Sequence, residues 1–299
     1  MNEAIHAEVH TIREDSRRFE RRYQLKPLNA NVDYAWLCSL MHPTLSRERV
    51  QIASDVVANW FHHDDHVDEF AGVNELITRR SAGASLSPTE GATLDALVAY
   101  LNAKNENMIQ LFAGNRPPHP LGSDALFYDS CADLATRIRQ LGPTLAQLEL
   151  WLTTLRNYFE SVVRAKQHVQ LDVRSYLKLR EDTGAAPALI ALGLLLEDVR
   201  DGLENAANRR GIQLAGLLTS LHNDFFSLKA DVASAQRENV VVIMGGSVER
   251  AQERTNELMQ EYLRAPVSPG IRHVCDAMII ANFVWCTGGR LCPGASRYQ

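Results

Sequence analysis

Apolar residues recur at helical spacing along almost the whole chain, and in one place carboxylates continue that apolar stripe. Val57, Phe61, Asp64 and Asp68 follow an i, i+4, i+7, i+11 pattern, so the two aspartates occupy the face that Val57 and Phe61 present. An ionised carboxylate on a buried face is costly unless a cation or a set of donors compensates it, and two on one face repel each other. A chain patterned this way folds as packed helices, with a metal as the simplest partner for the acids. A second polar cluster lies far downstream. Asn223, Ser227 and Asp231 are spaced four and eight apart, so they line one side of a helix and offer only oxygen donors. Carboxylate, amide and hydroxyl together favour Mg²⁺ or Mn²⁺ over zinc. Each cluster alone also has a plainer reading. Acidic helical strings are commonly solvated faces, and Asn-Asp can serve a cap or a turn.

The rest of the pattern is almost uniformly helical. Periodicity predicts helices over Ser46 to Phe70, Ser87 to Phe112, Cys131 to Gln140, Pro143 to His168, Ser175 to Val199, Gln213 to Ala235, Ser247 to Leu263 and Pro269 to Trp285. Asn115 to Gly122 is a loop, and Leu141-Gly142-Pro143 marks a helix end followed by a helix start. Val240 to Met244 has strand propensity, which is set aside because one isolated strand would have no partner in this chain. The longest apolar run, Ala185 to Leu196, is too short to span a bilayer and predicts a buried helix after a break at Gly184.

Taken as a pair, the two clusters resemble the aspartate-rich motif and the NSE/DTE triad of class I terpene synthases, particularly the short bacterial ones. Tyr176 to Pro187 resembles that family's diphosphate-sensor segment, and Arg297-Tyr298 resembles its C-terminal RY pair. Order and rough distances agree from about Asp33 onward. The resemblance implies an all-α, single-domain bundle spanning residues 1–299 around a central cavity, with residues 1–25 as a segment able to cap it. It implies metal ligation by Asp64, Asp65, Asp68, Asn223, Ser227 and Asp231, holding three Mg²⁺ ions, with Mn²⁺ as a substitute. Arg180 becomes the sensor, Thr183 the linker and Gly184 the effector. Arg297 and Tyr298 become diphosphate donors, and Arg290 competes for part of that role.

Two departures stand out. The triad ends in Asp231 where many relatives have glutamate. Lys229 precedes it by two positions instead of one, which rotates this candidate diphosphate donor by about 100° around the helix. The implied reaction is Mg²⁺-dependent ionisation of a linear prenyl diphosphate to a cyclic terpene or terpene alcohol. Farnesyl diphosphate is the default substrate, with geranylgeranyl and geranyl diphosphate as alternatives. Trp60, Phe61, Phe159, Phe226 and Trp285 are candidates to face the carbocation by cation-π attraction, although core packing explains aromatics equally well.

Composition narrows the alternatives. A net charge of −5 argues against a nucleic-acid surface. Five cysteines form neither an even framework nor a C-x-x-C pair, which predicts reduced thiols and, with no secretory signal in Met1 to His10, a cytoplasmic protein without membrane insertion. Homodimerisation stays open. Arg17-Arg18 and Arg21-Arg22 are interleaved with acids and predict either a solvated helix or the capping segment. His63-Asp64 also fits a helical HD-type phosphohydrolase, but that reading leaves Arg180 and Arg297-Tyr298 unexplained. A chain-elongating prenyl synthase would carry a second DDxxD where this chain has Asn223-Asp224 and Ser227. A non-catalytic helical interaction protein is the remaining alternative.

Overall fold

The computed structural model describes residues 5–25, 32–68, 73–81, 83–167, 171–233 and 238–288, and within them not the side chains of residues 64–68, 73, 74, 78, 81, 166, 167 and 288. Among the described residues the chain is helical and has no strand. In order the helices are α1 (Val9–Arg22), α2 (Tyr34–Met41), α3 (Arg47–Asp68), α4 (Val73–Ser81), α5 (Pro88–Ala113), α6 (Ala125–Gln140), α7 (Leu145–Gln167), α8 (Val173–Thr183), α9 (Ala186–Leu196), α10 (Ala206–Ala233), α11 (Val240–Ile243), α12 (Val248–Arg264) and α13 (Pro269–Gly288).

The apolar run around Leu189 forms α9, and every one of its residues is buried. It is hydrophobic on all sides because it is walled on all sides: α7, α10 and α13 all pack against it. At about 1.5 Å per residue its eleven positions fall well short of a bilayer. No helix among the described residues is long and apolar enough to cross a membrane. Long α10 runs beside it and also contacts α8, α11, α12 and α13.

Local sequence explains most helix ends. Ser87 and Glu90 form a reciprocal capping box at α5, with Pro88 at its first position, and Gly114 ends that helix in the left-handed region. Asp172 caps α8 by accepting from the Ser175 amide at 2.7 Å. Two starts come earlier than periodicity predicts. Helix α10 begins at Ala206 instead of Gln213 because the Asn205 side chain accepts from the Ala207 amide at 2.8 Å, and the polar first turns that follow carry no apolar repeat to read. Helix α6 begins at Ala125 instead of Cys131, led in by a short 3₁₀ turn over Gly122–Asp124. Helices α2 and α4 were not expected from the pattern: both are short, and α2 depends on Asp33, which accepts from the Trp36 amide at 3.0 Å and from Arg13 Nε at 2.7 Å.

The amphipathic N-terminal helix α1 packs on α2 and α3 and buries Ile12, Ser16 and Phe19. Ser16 donates to Asp55 Oδ1 at 2.9 Å, and Arg137 from α6 donates to Asp55 Oδ2 at 2.7 Å. Beside this junction burial pushes the Glu20 carboxyl up to about 7; Arg17 opposes the shift and Asp55 adds to it. The folded state therefore binds this proton more tightly than the unfolded chain does. Its stabilising contribution is complete below the ordinary glutamate value of 4.5 and is lost as pH rises through about 7. Glu20→Gln should flatten that part of the stability-pH curve, measured as the urea midpoint between pH 4.5 and 8; an unchanged slope would place Glu20 in water.

Candidate active site

Helices α2, α3, α7, α8, α9, α10 and α13 enclose a cavity of about 240 Å³. Its lower wall is apolar, built from Leu37, Val57, Leu189 and Met278. Trp60 and Phe61 line it from α3, Tyr158 from α7 and Trp285 from α13. Arg180, Thr183, Gly184 and Ala185 come from the α8–α9 junction, and Thr219, Ser220 and Asn223 from α10. Three of the five aromatics proposed from sequence are on this wall. Phe159 and Phe226 are not. Phe159 is buried with its ring 5.3 Å from both His63 and Tyr158, and Phe226 packs on Phe283 at 5.9 Å, so both serve interhelical packing.

The helix break expected at Gly184 falls between α8 and α9. Gly184 has an ordinary φ of −80°, whereas Ala185 is the residue in the left-handed region at φ 57°. Glycine at 184 is demanded by room: a Cβ there would overlap the Ser220 side chain of α10. Gly216, one turn earlier on α10, lets Pro187 approach equally closely, since a Cβ there would stand 2.5 Å from Pro187 Cγ. The helix break is thus pressed directly onto α10. An alanine held at positive φ stores backbone strain at this point, on the order of 1 kcal/mol.

Arg180 crosses from α8 to α10. Its Nη2 donates to Asp224 Oδ1 at 2.6 Å and to the Ser220 carbonyl at 3.3 Å, while Nη1 reaches Thr183 Oγ1 at 3.4 Å. Its Nε is a buried donor with no hydrogen-bond partner among the described residues. The bonds to Asp224, Ser220 and Thr183 engage three of its five N–H donors, and a cavity-lining guanidinium with donors to spare is a ready anion contact. Asp224 holds it there and is only 1% exposed. Its carboxylate also accepts from the Tyr176 hydroxyl and from the Val240 amide. Burial raises the Asp224 carboxyl, and the Arg180 charge and these donors work against that shift. Sequence reading missed Asp224 as a site component; the signal available was its position four residues from Ser220 and next to Asn223 on a helix expected to face the sensor.

On α10, Asn223 is on the cavity wall; Ser227, one turn on, is not among the lining residues, and its Oγ donates to Asp231 Oδ2 at 2.6 Å, a further turn along. An amide, a hydroxyl and a carboxylate on one helical side are an oxygen-only set that fits a hard divalent cation. Lys229 is exposed and is not on the cavity wall, as its rotation around α10 requires. On the facing side α3 stays helical through Asp68, placing positions 64 and 68 one and two turns beyond cavity-lining Trp60. The side chains of Asp64, Asp65 and Asp68 lie outside those described, as do Arg290, Arg297 and Tyr298. No group of three His, Cys, Asp or Glu suited to a metal occurs among the described residues. His63 is 4% exposed and bonded to Asn105 Oδ1 at 2.9 Å, so it belongs to the core and not to a phosphohydrolase centre. Cys38, Cys131, Cys275 and Cys286 are free thiols.

Comparison with known proteins gives the family and the fold. The family described as terpene synthase family 2, C-terminal metal binding, matches residues 55–265. A (+)-T-muurolol synthase of Streptomyces clavuligerus, described as cyclising (2E,6E)-farnesyl diphosphate, is 30% identical over 151 residues, which is 44% of this chain and 35% of that protein. The match thus spans about a third of that relative's length. Among solved structures, wild-type cucumene synthase has a TM-score of 0.70 at 14% identity, covering 96% of this chain and 98% of its own. An α-eudesmol synthase has a TM-score of 0.71 at 13% identity, covering 96% and 97%. At such identities these two structures speak for the fold.

Proposed function

The chain belongs to the terpene synthase family, and from that premise we propose that it ionises a linear prenyl diphosphate, farnesyl diphosphate by preference, and releases diphosphate with a cyclic terpene or terpene alcohol. The observation that carries this reading is the meeting of Arg180 and Asn223, distant in sequence, on the wall of one cavity that is also lined by Trp60, Phe61, Tyr158 and Trp285. Asn223, Ser227 and Asp231, with Asp64, Asp65 and Asp68 across the mouth, would hold the divalent metal, three Mg²⁺ ions with Mn²⁺ as a substitute. When bound, the metal supplies Lewis-acid neutralisation of the charge that grows on the leaving diphosphate.

The chain's own groups do the rest. Arg180, on the cavity wall, offers its guanidinium to a diphosphate oxygen, and Asp224 fixes that group so that little reorganisation is needed as charge develops. Arg297 and Tyr298, or Arg290, add donors from the C-terminal end. As the allylic C–O bond breaks, its electron pair leaves with the diphosphate and the hydrocarbon becomes a cation. Trp60, Phe61 and Trp285 offer π faces to that cation within a wall that excludes bulk water. Farnesyl diphosphate is preferred because it is the substrate named for the muurolol synthase.

Incubation with geranyl, farnesyl and geranylgeranyl diphosphates, with and without Mg²⁺, tests the reading by diphosphate release and mass spectrometry of volatiles. Mg²⁺-dependent release, fastest with farnesyl diphosphate, is expected. Absence of release from all three would sink it, and release of phosphate from nucleotides would restore the phosphohydrolase.

A further inference from the structure

We infer that Asn239 is a positioning residue for the metal triad, tying the carboxylate of Asp231 to the Arg180–Asp224 pair. Asn239 is 0% exposed and stands just before α11. Its Oδ1 accepts from the Val241 amide at 2.9 Å, the ordinary work of an N-cap. Its Nδ2 does something a cap does not need: it donates to Asp231 Oδ2 at 2.9 Å and to the Asp224 backbone carbonyl at 2.6 Å. An amide has two N–H donors, and these two acceptors take both. The opposite amide orientation would set an oxygen against two oxygens, so the assignment is forced by the surroundings.

The neighbouring residue completes the clip. The Val240 amide donates to Asp224 Oδ2 at 3.0 Å, so Asn239 and Val240 together grip Asp224 at its carbonyl and its carboxylate while Asn239 alone reaches Asp231. Asp224 and Asp231 are seven residues apart on α10, one bound to Arg180 and the other to Ser227. Ser227 and Asn239 both donate to the same oxygen of Asp231 and so set the plane of its carboxylate. A metal ligand whose rotation is fixed in advance loses less freedom on binding, and outer-shell hydrogen bonds of this kind are worth about tenfold to a hundredfold in metal affinity. The inference rests on Asp231 being a metal ligand, and it gives the Asp231 departure a physical counterpart: the shorter arm is held by an asparagine from the next element.

Asn239→Ser tests it. Serine keeps the cap on α11 but cannot reach Asp231 or the Asp224 carbonyl, and Asn239→Thr does the same with more bulk in the buried space. Thermal shift against Mg²⁺ with inorganic diphosphate should show the half-saturating Mg²⁺ concentration raised about tenfold or more, with the metal-free melting temperature lowered by only a few degrees. Turnover should recover toward the parent value at saturating Mg²⁺. An unchanged Mg²⁺ titration would overturn the inference and leave Asn239 a cap. Loss of helical circular dichroism in both variants would overturn it as well, making Asn239 a structural residue of the α10–α11 junction. A parent protein with no Mg²⁺-dependent shift would instead remove the metal reading underneath.

Discussion

Asp224→Ala should destabilise the protein by about 3–5 kcal/mol, the cost of stripping one partner from a buried ion pair. The Arg180 guanidinium, 16% exposed, would lose its carboxylate, and the Tyr176 hydroxyl and Val240 amide would lose an acceptor. The measurement is urea unfolding of parent and variant at constant pH. A loss below about 1 kcal/mol would mean that water reaches Arg180 freely, as at an exposed pair. The double variant Arg180→Met with Asp224→Leu separates stability from function. With no buried charge left unpaired it should regain much of the lost stability, yet diphosphate release should stay near zero because the donor at the α8–α9 junction is gone.

Asn223→Ala should lower diphosphate release at saturating Mg²⁺ by at least about a hundredfold, the scale on which a single prepositioned electrostatic group counts in catalysis. The fold should survive it. Asn223 is half-buried on the cavity wall, and none of the hydrogen bonds described from α10 to Arg180, Asn239 and Val240 is made by its side chain. Circular dichroism and the urea midpoint should therefore stay close to the parent's. Turnover within a few-fold of the parent would remove Asn223 from the metal set. The contrast with Asp224 is the point of the pair: adjacent residues on one helix, one setting stability and sensor position, the other setting turnover.

Much of this was legible from spacing. Val57 and Phe61 mark the cavity face of α3, and the 180–184 segment marks a helix break, because both are properties of short stretches of chain. Phe159 and Phe226 are absent from the cavity wall for a reason of the same kind. An aromatic on an apolar stripe suits cavity wall and interhelical packing alike, and only the neighbouring helix decides which; Phe159 met His63 of α3, and Phe226 met Phe283 of α13. Tyr158, on the cavity wall beside Trp60, was passed over because its position on α7 carries no motif. The Gly184 break was found, but its cause was not. The positive φ belongs to Ala185, and the glycine is needed for clearance from Ser220, a residue 36 positions away that no local pattern names.

Periodicity and the absence of helix breakers inside long stripes determined by themselves that this chain is a helical bundle, and spacing alone put the oxygen donors Asn223, Ser227 and Asp231 on one side of one helix. Those are one-dimensional properties, since a helix fixes the relation between neighbours i and i+4 whatever surrounds it. Tertiary structure alone decided that Arg180 is held by Asp224, that α11 reaches back to Asp231, and that α9 is walled on every side. Each of these depends on which surfaces of distant helices meet, and burial there converts ordinary polar residues into constrained ones whose charge and orientation the sequence leaves open.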